Sequence, residues 1–254
     1  MQPDPEKKIN RIVIGLLSVV LVACASSAEN KIKSNDSDDV HLQLGVRYMN
    51  LNKLEVAKEN LQLALKKDPD NPQVHNAMAF LYEKLNENDN AKDEYETALD
   101  LTPDDWSVQN NFGRFLCDRG EFEQGMSLLA QALSNPLNDK QWLALTNAGR
   151  CQMAMHQQQK AKAYFKQALL LNNSYAPALL EMQQISYQSG EYWAAKGYLQ
   201  RYLSVAEHTS GTLWFAAQTE RALGNAELAK EYQNLLLEKF PLSNEAKRIK
   251  PVSQ

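Results

Sequence analysis

Three cysteines and four histidines hold most of the reactive side chains of this 254-residue chain, and their spacing limits what they can do. Cys24 closes the stretch Leu21-Val22-Ala23-Cys24, where a thiol at the end of an apolar run is a candidate for lipid attachment. Cys117 and Cys151 fall on neighbouring helical segments, and an oxidising compartment permits a disulfide between them. Helix axes roughly 8–10 Å apart, however, put such a bridge at the edge of its ~7 Å Cα limit. Buried free thiols are therefore the expected state. His41 and His75 are equivalent residues with no Cys or carboxylate at ligand spacing, so packed imidazoles are expected there and no metal site. No Ser/His/Asp or Cys/His order, Gly-rich phosphate loop or recurring carboxylate pair stands out among the remaining residues, His156 and His208 included. The chain reads as a non-enzyme without cofactor, metal or small-molecule substrate.

What positions these residues is a repeat of 34. Between residues 72 and 105, His75, Met78, Ala79, Tyr82, Ala91, Tyr95, Ala98 and Pro103 fall at fixed offsets. One period earlier the same offsets hold His41, Leu44, Gly45, Tyr48, Ala57, Leu61, Ala64 and Pro69. Small residues at the eighth and twentieth positions let two antiparallel helices, A and B, approach closely, and Pro near the thirty-second stops helix B. This is the tetratricopeptide pattern. It predicts an all-α, right-handed superhelical solenoid of six repeats at 38–71, 72–105, 106–139, 142–175, 176–209 and 210–243. Lys140 and Gln141 interrupt the period, Gly125 stands where Ala is usual, and Gln183 replaces the small residue of repeat five. Residues 244–254 read as a polar, fraying tail.

The amino terminus lies apart from this domain. Lys7, Lys8 and Arg11 precede an apolar run at 12–22 that is short for a bilayer span and suits a signal peptide. Leu21-Val22-Ala23-Cys24 resembles the bacterial lipobox. That resemblance implies cleavage after residue 23 and acylation of Cys24, each buried methylene adding about 0.8 kcal/mol of anchoring. Ala25 instead of Asp implies sorting to the outer membrane. Residues 24–37 are rich in Ser, Asn, Asp and Lys and read as a disordered tether.

Function must then come from surfaces. A formal charge of −4 gives no basic face for nucleic acid. In a tetratricopeptide array the A helices line a concave groove through positions two, five, nine, twelve and thirteen. These positions put Leu42, Val46, Met49 and Phe80 on an apolar strip, where exposed apolar area marks a partner site. Asn76 lies beside it, and further along Asn110, Asn111, Arg114, Thr146, Asn147 and Arg150 face the groove. Asn can hold a peptide backbone and Arg can receive carboxylates. The fifth and ninth positions of the first repeat are Leu42 and Val46, not the Lys and Asn of chaperone-tail clamps.

The run Asn110-Asn111-Phe112-Gly113-Arg114-Phe115-Leu116-Cys117, followed by Asp118-Arg119-Gly120, resembles the PilF/PilW type IV pilus biogenesis family, as does Gly45-Val46-Arg47-Tyr48-Met49. The resemblance implies a pilotin. Such a protein is an outer-membrane lipoprotein, facing the periplasm, that binds the pilus secretin subunit and promotes its localisation and multimerisation. The alternative is a repeat scaffold lipoprotein of another envelope machine, for outer-membrane proteins or peptidoglycan synthesis.

Overall fold

The computed structural model describes residues 40–249. The signal peptide at 1–23, Cys24, the tether at 24–37, the first two residues of repeat one and residues 250–254 lie outside that range. The described residues form thirteen α-helices and no strand. The A helices are α1 (Val40–Asn50), α3 (Pro72–Leu85), α5 (Trp106–Asp118), α7 (Gln141–Ala154), α9 (Ala176–Gln188) and α11 (Ser210–Ala222). Their B partners are α2 (Leu54–Lys67), α4 (Asn88–Leu101), α6 (Phe122–Ser134), α8 (Gln158–Leu171), α10 (Tyr192–Leu203) and α12 (Ala226–Lys239). A short α13 (Asn244–Lys247) follows. Each A helix packs mainly on its own B helix, and each B helix then packs on the next A helix. Buried residues accordingly form clusters strung along the stack, as expected of a solenoid of tetratricopeptide repeats.

All six A-to-B turns share one device. A left-handed residue (Asn52, Asn86, Gly120, His156, Gly190 or Gly224) follows the A helix. The next amide then donates back to a carbonyl five residues earlier, as in Lys53 to Tyr48 at 2.9 Å and Asn225 to Glu220 at 2.8 Å. This Schellman closure satisfies carbonyls that a helix end leaves orphaned. His156, with φ of 58°, has a Cβ where three of its counterparts are glycine.

Close approach explains the small residues. A Cβ on Gly113 would lie 2.8 Å from the Gly125 carbonyl oxygen, and one on Gly125 would lie 2.6 Å from Cys117 Sγ. Gly125 therefore replaces the usual Ala because a sulfur occupies the space. That sulfur belongs to a Cys117–Cys151 disulfide joining α5 to α7, which corrects the expectation of free thiols. The two Cα atoms are 5.3 Å apart. Axis separation overstates the gap, because each Cα stands about 2.3 Å out from its axis toward the neighbour.

In repeats two and three the fourth residue of the A helix binds the preceding turn. His75 binds the Pro69 carbonyl through Nε2 at 2.8 Å and Glu94 through Nδ1 at 2.6 Å. Both partners are acceptors, so the ring is satisfied fully only as imidazolium. The Glu94 hydrogen bond outweighs burial and raises the His75 pKa above its ordinary 6.5. One repeat later Gln109 Nε2 donates to the Pro103 carbonyl at 2.7 Å, doing the same task without charge.

Repeat five departs from the pattern at a cost. Gln183 is fully buried, and neither atom of its amide has a partner among the described residues; Ser186 Oγ and Thr219 Oγ1 share that state. Each such group costs about 1–3 kcal/mol. The tail also differs from expectation. Ser243 Oγ accepts the Ala246 amide and starts α13, and Ala246 packs against Leu213 and Leu236, with Phe240 and Ile249 beside them. Apolar residues at helical spacing after Pro241 dock what the polar composition suggested would fray.

Three outcomes follow from these contacts. Replacing Cys117 and Cys151 with Ala lowers the unfolding free energy by about 3–4 kcal/mol, the loop entropy of a 34-residue separation, measured by denaturant melts. His156→Gly raises it by about 1 kcal/mol by relieving the left-handed strain, seen as a higher Tm. The His75 contribution is complete below pH 6.5 and fades as pH rises through the raised value, so wild type loses stability relative to His75→Gln as pH rises above 6.5 in paired thermal melts.

Candidate partner-binding groove

The A helices α1, α3, α5 and α7 lie side by side, each touching the next. On α1, Leu42 and Val46 line a shallow open pocket with Gln43, Arg47, Asn50 and Leu51. Val46 is 39% exposed, while Leu42 is half-buried against the α1–α3 core. On α3, Phe80 is 36% exposed, with Lys84 Nζ 5.1 Å and the Arg114 guanidinium 5.8 Å from its ring centre. Val46 and Phe80 thus supply the exposed part of the expected strip.

Met49 does not join them. It is only 3% exposed and packs with Ala57, Leu61, Val74, Met78 and Leu81. The reason is visible one period on. Glu83 and Cys117, at the same offset, also sit between neighbouring A helices: Glu83 is held from α5 by Arg114, and Cys117 is bridged to α7. In repeats one to three position twelve is the seam between consecutive A helices and not a groove position.

The Glu83 seam is an ion pair. Arg114 Nη2 donates to Glu83 Oε1 at 2.5 Å, Nη1 donates to Asp118 at 3.0 Å, and the Tyr95 hydroxyl donates to the same Glu83 oxygen at 2.6 Å. Burial and the Glu83 charge push the Tyr95 hydroxyl well above its usual range, so it stays a donor. Burial opposes the Arg114 charge, but the Glu83 hydrogen bond and charge hold its pKa above the ordinary arginine value. Arg150 Nε donates likewise to Glu181 at 2.8 Å, joining α7 to α9. Both arginines expected to receive a partner's carboxylate are held by carboxylates of this chain. Thr146, expected at the groove, is buried and donates to the Trp142 carbonyl at 2.8 Å.

The asparagines form a connected row. Asn147 Nδ2 donates to Asn110 Oδ1 at 2.9 Å, Asn110 Nδ2 to Asn111 Oδ1 at 3.2 Å, and Asn111 Nδ2 to Asn76 Oδ1 at 3.1 Å. Asn110 is buried at 5% exposure; Asn76, Asn111 and Asn147 are half-buried. The row crosses α7, α5 and α3. Glu83 stands at a position expected to face the groove and is instead held in the seam, and Tyr95, which caps it, was not among the expected site residues. No three His, Cys, Asp or Glu side chains converge as metal ligands among the described residues. Cys24 lies outside them.

A tetratricopeptide repeat family model matches residues 38–71, 72–105 and 144–175. Type IV pilus assembly protein PilF of Pseudomonas aeruginosa is 27% identical over 242 residues, covering 93% of this chain and 96% of that protein. The crystal structure of PilW, a widely conserved type IV pilus biogenesis factor, superposes with a TM-score of 0.73 at 30% identity, covering 84% of this chain and 98% of that one. The structure of Pseudomonas aeruginosa PilF gives 0.72 at 27% identity over 82% and 94% of the two chains. At 30% identity to PilW over 98% of its chain, and 27% to PilF over 96% of its length, the chain belongs to the PilF/PilW family of type IV pilus biogenesis factors.

Proposed function

We propose that the chain is a pilotin, an outer-membrane lipoprotein facing the periplasm that binds the type IV pilus secretin subunit and promotes its outer-membrane localisation and multimerisation. Likeness to PilF and PilW over nearly the whole chain carries this reading. Acyl chains on Cys24 supply the membrane address and the A-helix groove supplies the contact with the cargo. Binding, not turnover, is the work assigned to it. The half-exposed pair Val46 and Phe80 gives an apolar anchor on an otherwise polar face, the arrangement of a small interface hot spot.

A deletion strain tests the reading directly. Twitching and secretin multimers are expected to be lost while general outer-membrane protein levels stay unchanged; secretin rings that persist in the outer membrane would exclude it. Cys24→Ala is expected to leave the helical body intact and mislocalise the secretin. Val46→Glu places a charge on the exposed anchor and is expected to weaken capture about tenfold, roughly 1.4 kcal/mol, with unchanged melting in a pull-down series.

A further inference from the structure

We propose that the edge of the stack formed by the B-to-A turns rests on a phospholipid surface, with the exposed leucines of repeats three to six entering it. This rests on the reading of Cys24 as acylated and not on the identity of the cargo.

Consecutive helices alternate in direction. Every B-to-A turn and every A-helix start therefore falls on one edge, and every A-to-B turn on the other. Hydrogen bonds tie neighbouring turns of the first edge together. Gln73 Nε2 donates to Asp105 at 3.1 Å, Asn135 Nδ2 to the Asp104 carbonyl at 2.6 Å, and Arg201 Nη2 to the Asn173 carbonyl at 2.8 Å.

Exposed apolar side chains collect on this edge. Seven large hydrophobic residues are more than half exposed; Val40, Leu137, Leu170, Leu171 and Leu242 lie here, and only Leu51 and Trp193 lie toward the other. Leu137, Leu170 and Leu242 reach 80–86%. With Val205 after α10, each of the last four turns carries at least one such residue. Single exposed leucines are ordinary, but a row of them along one edge marks a surface that meets an apolar partner.

Charge selects the same stretch. The first two turns carry Asp68, Asp70, Asp104 and Asp105, which anionic headgroups repel. From the third turn on, residues 135–140 hold one acid and one base, Asp139 and Lys140. Residues 172–175 and 240–243 hold no charge, and 204–209 hold no charged residue besides Glu207 and His208.

The chain ahead of the fold identifies the occupant. α1 begins at Val40 on this edge, so residues 24–39 join the edge to Cys24, a reach of at most about 55 Å. Acyl chains on Cys24 hold a bilayer within that distance, and a tethered edge meets the lipid at high effective concentration. A few leucines then suffice, because the acyl chains already supply most of the membrane affinity. Standing on this edge, the stack opens its concave face sideways along the membrane.

The full chain, purified with its acyl groups and placed in vesicles of phosphatidylethanolamine and phosphatidylglycerol, tests this with single fluorescent labels. Cys117 and Cys151 are bonded to each other, so a thiol dye reports the introduced site in Leu137→Cys, Leu170→Cys, Leu242→Cys or the opposite-edge control Trp193→Cys. Emission from the first three is expected to shift to the blue and to escape quenching by aqueous iodide, while the Trp193→Cys label stays quenched. Quenching of all four labels overturns the inference, and so does equal protection of the control. Protection that follows protein density and not lipid assigns the edge to a second copy, and protection that appears only with added secretin subunit assigns it to a protein; either overturns it. Mass spectrometry of the Cys24 peptide separates the two readings. A chain without acyl groups defeats the lipoprotein reading and this inference with it, whereas an acylated chain with quenched labels defeats the edge alone.

Discussion

The groove exists because consecutive A helices are held edge to edge along one line of residues spaced 34 apart. Met49, Glu83, Cys117, Cys151, Ile185 and Thr219 follow that line, and each lies in or near the buried interior. The chemistry of the line changes along the stack. It is a thioether packed among aliphatic side chains at α1, an ion pair capped by a tyrosine hydroxyl at α3 and a covalent bridge between α5 and α7. It then becomes an isoleucine in the α9 core and finally a hydroxyl without a partner at α11. In a linear array each interface is felt mainly by its neighbours, so these local differences are not averaged over the molecule.

The fold was legible because its determinants are local. Small residues such as Ala79 and Ala91, turn residues such as Asn86 and Gly120, and prolines such as Pro69 and Pro103 act within one hairpin or the next. The seam was harder to read because it depends on helix rotation. Residues three apart on a helix differ by about 60° in direction, enough to move Met49 from the groove to the interior while Val46 stays exposed. Cys117 and Cys151 were misjudged for a related reason. The inserted Lys140 and Gln141 gave them unequal repeat positions, although the plain count between them is one period. The fate of the arginines was also beyond the pattern, since Glu83 and Glu181 reach them from other helices.

On the floor of the groove Arg114 and Arg150 are paired within the chain, the asparagine hydrogen bonds run in a single direction, and Val46 and Phe80 give exposed apolar area.

Buried polar groups without a partner among the described residues are Gln183, Ser186 and Thr219 in α9 and α11, and one amide oxygen each of Gln109 in α5 and Gln152 in α7. Only a covalent link joins elements across the stack regardless of local melting, and among the described residues the Cys117–Cys151 staple ties α5 to α7 in that way. Unfolding that starts in repeats five and six therefore reaches a covalent barrier before it reaches the floor laid down by α3 and α5.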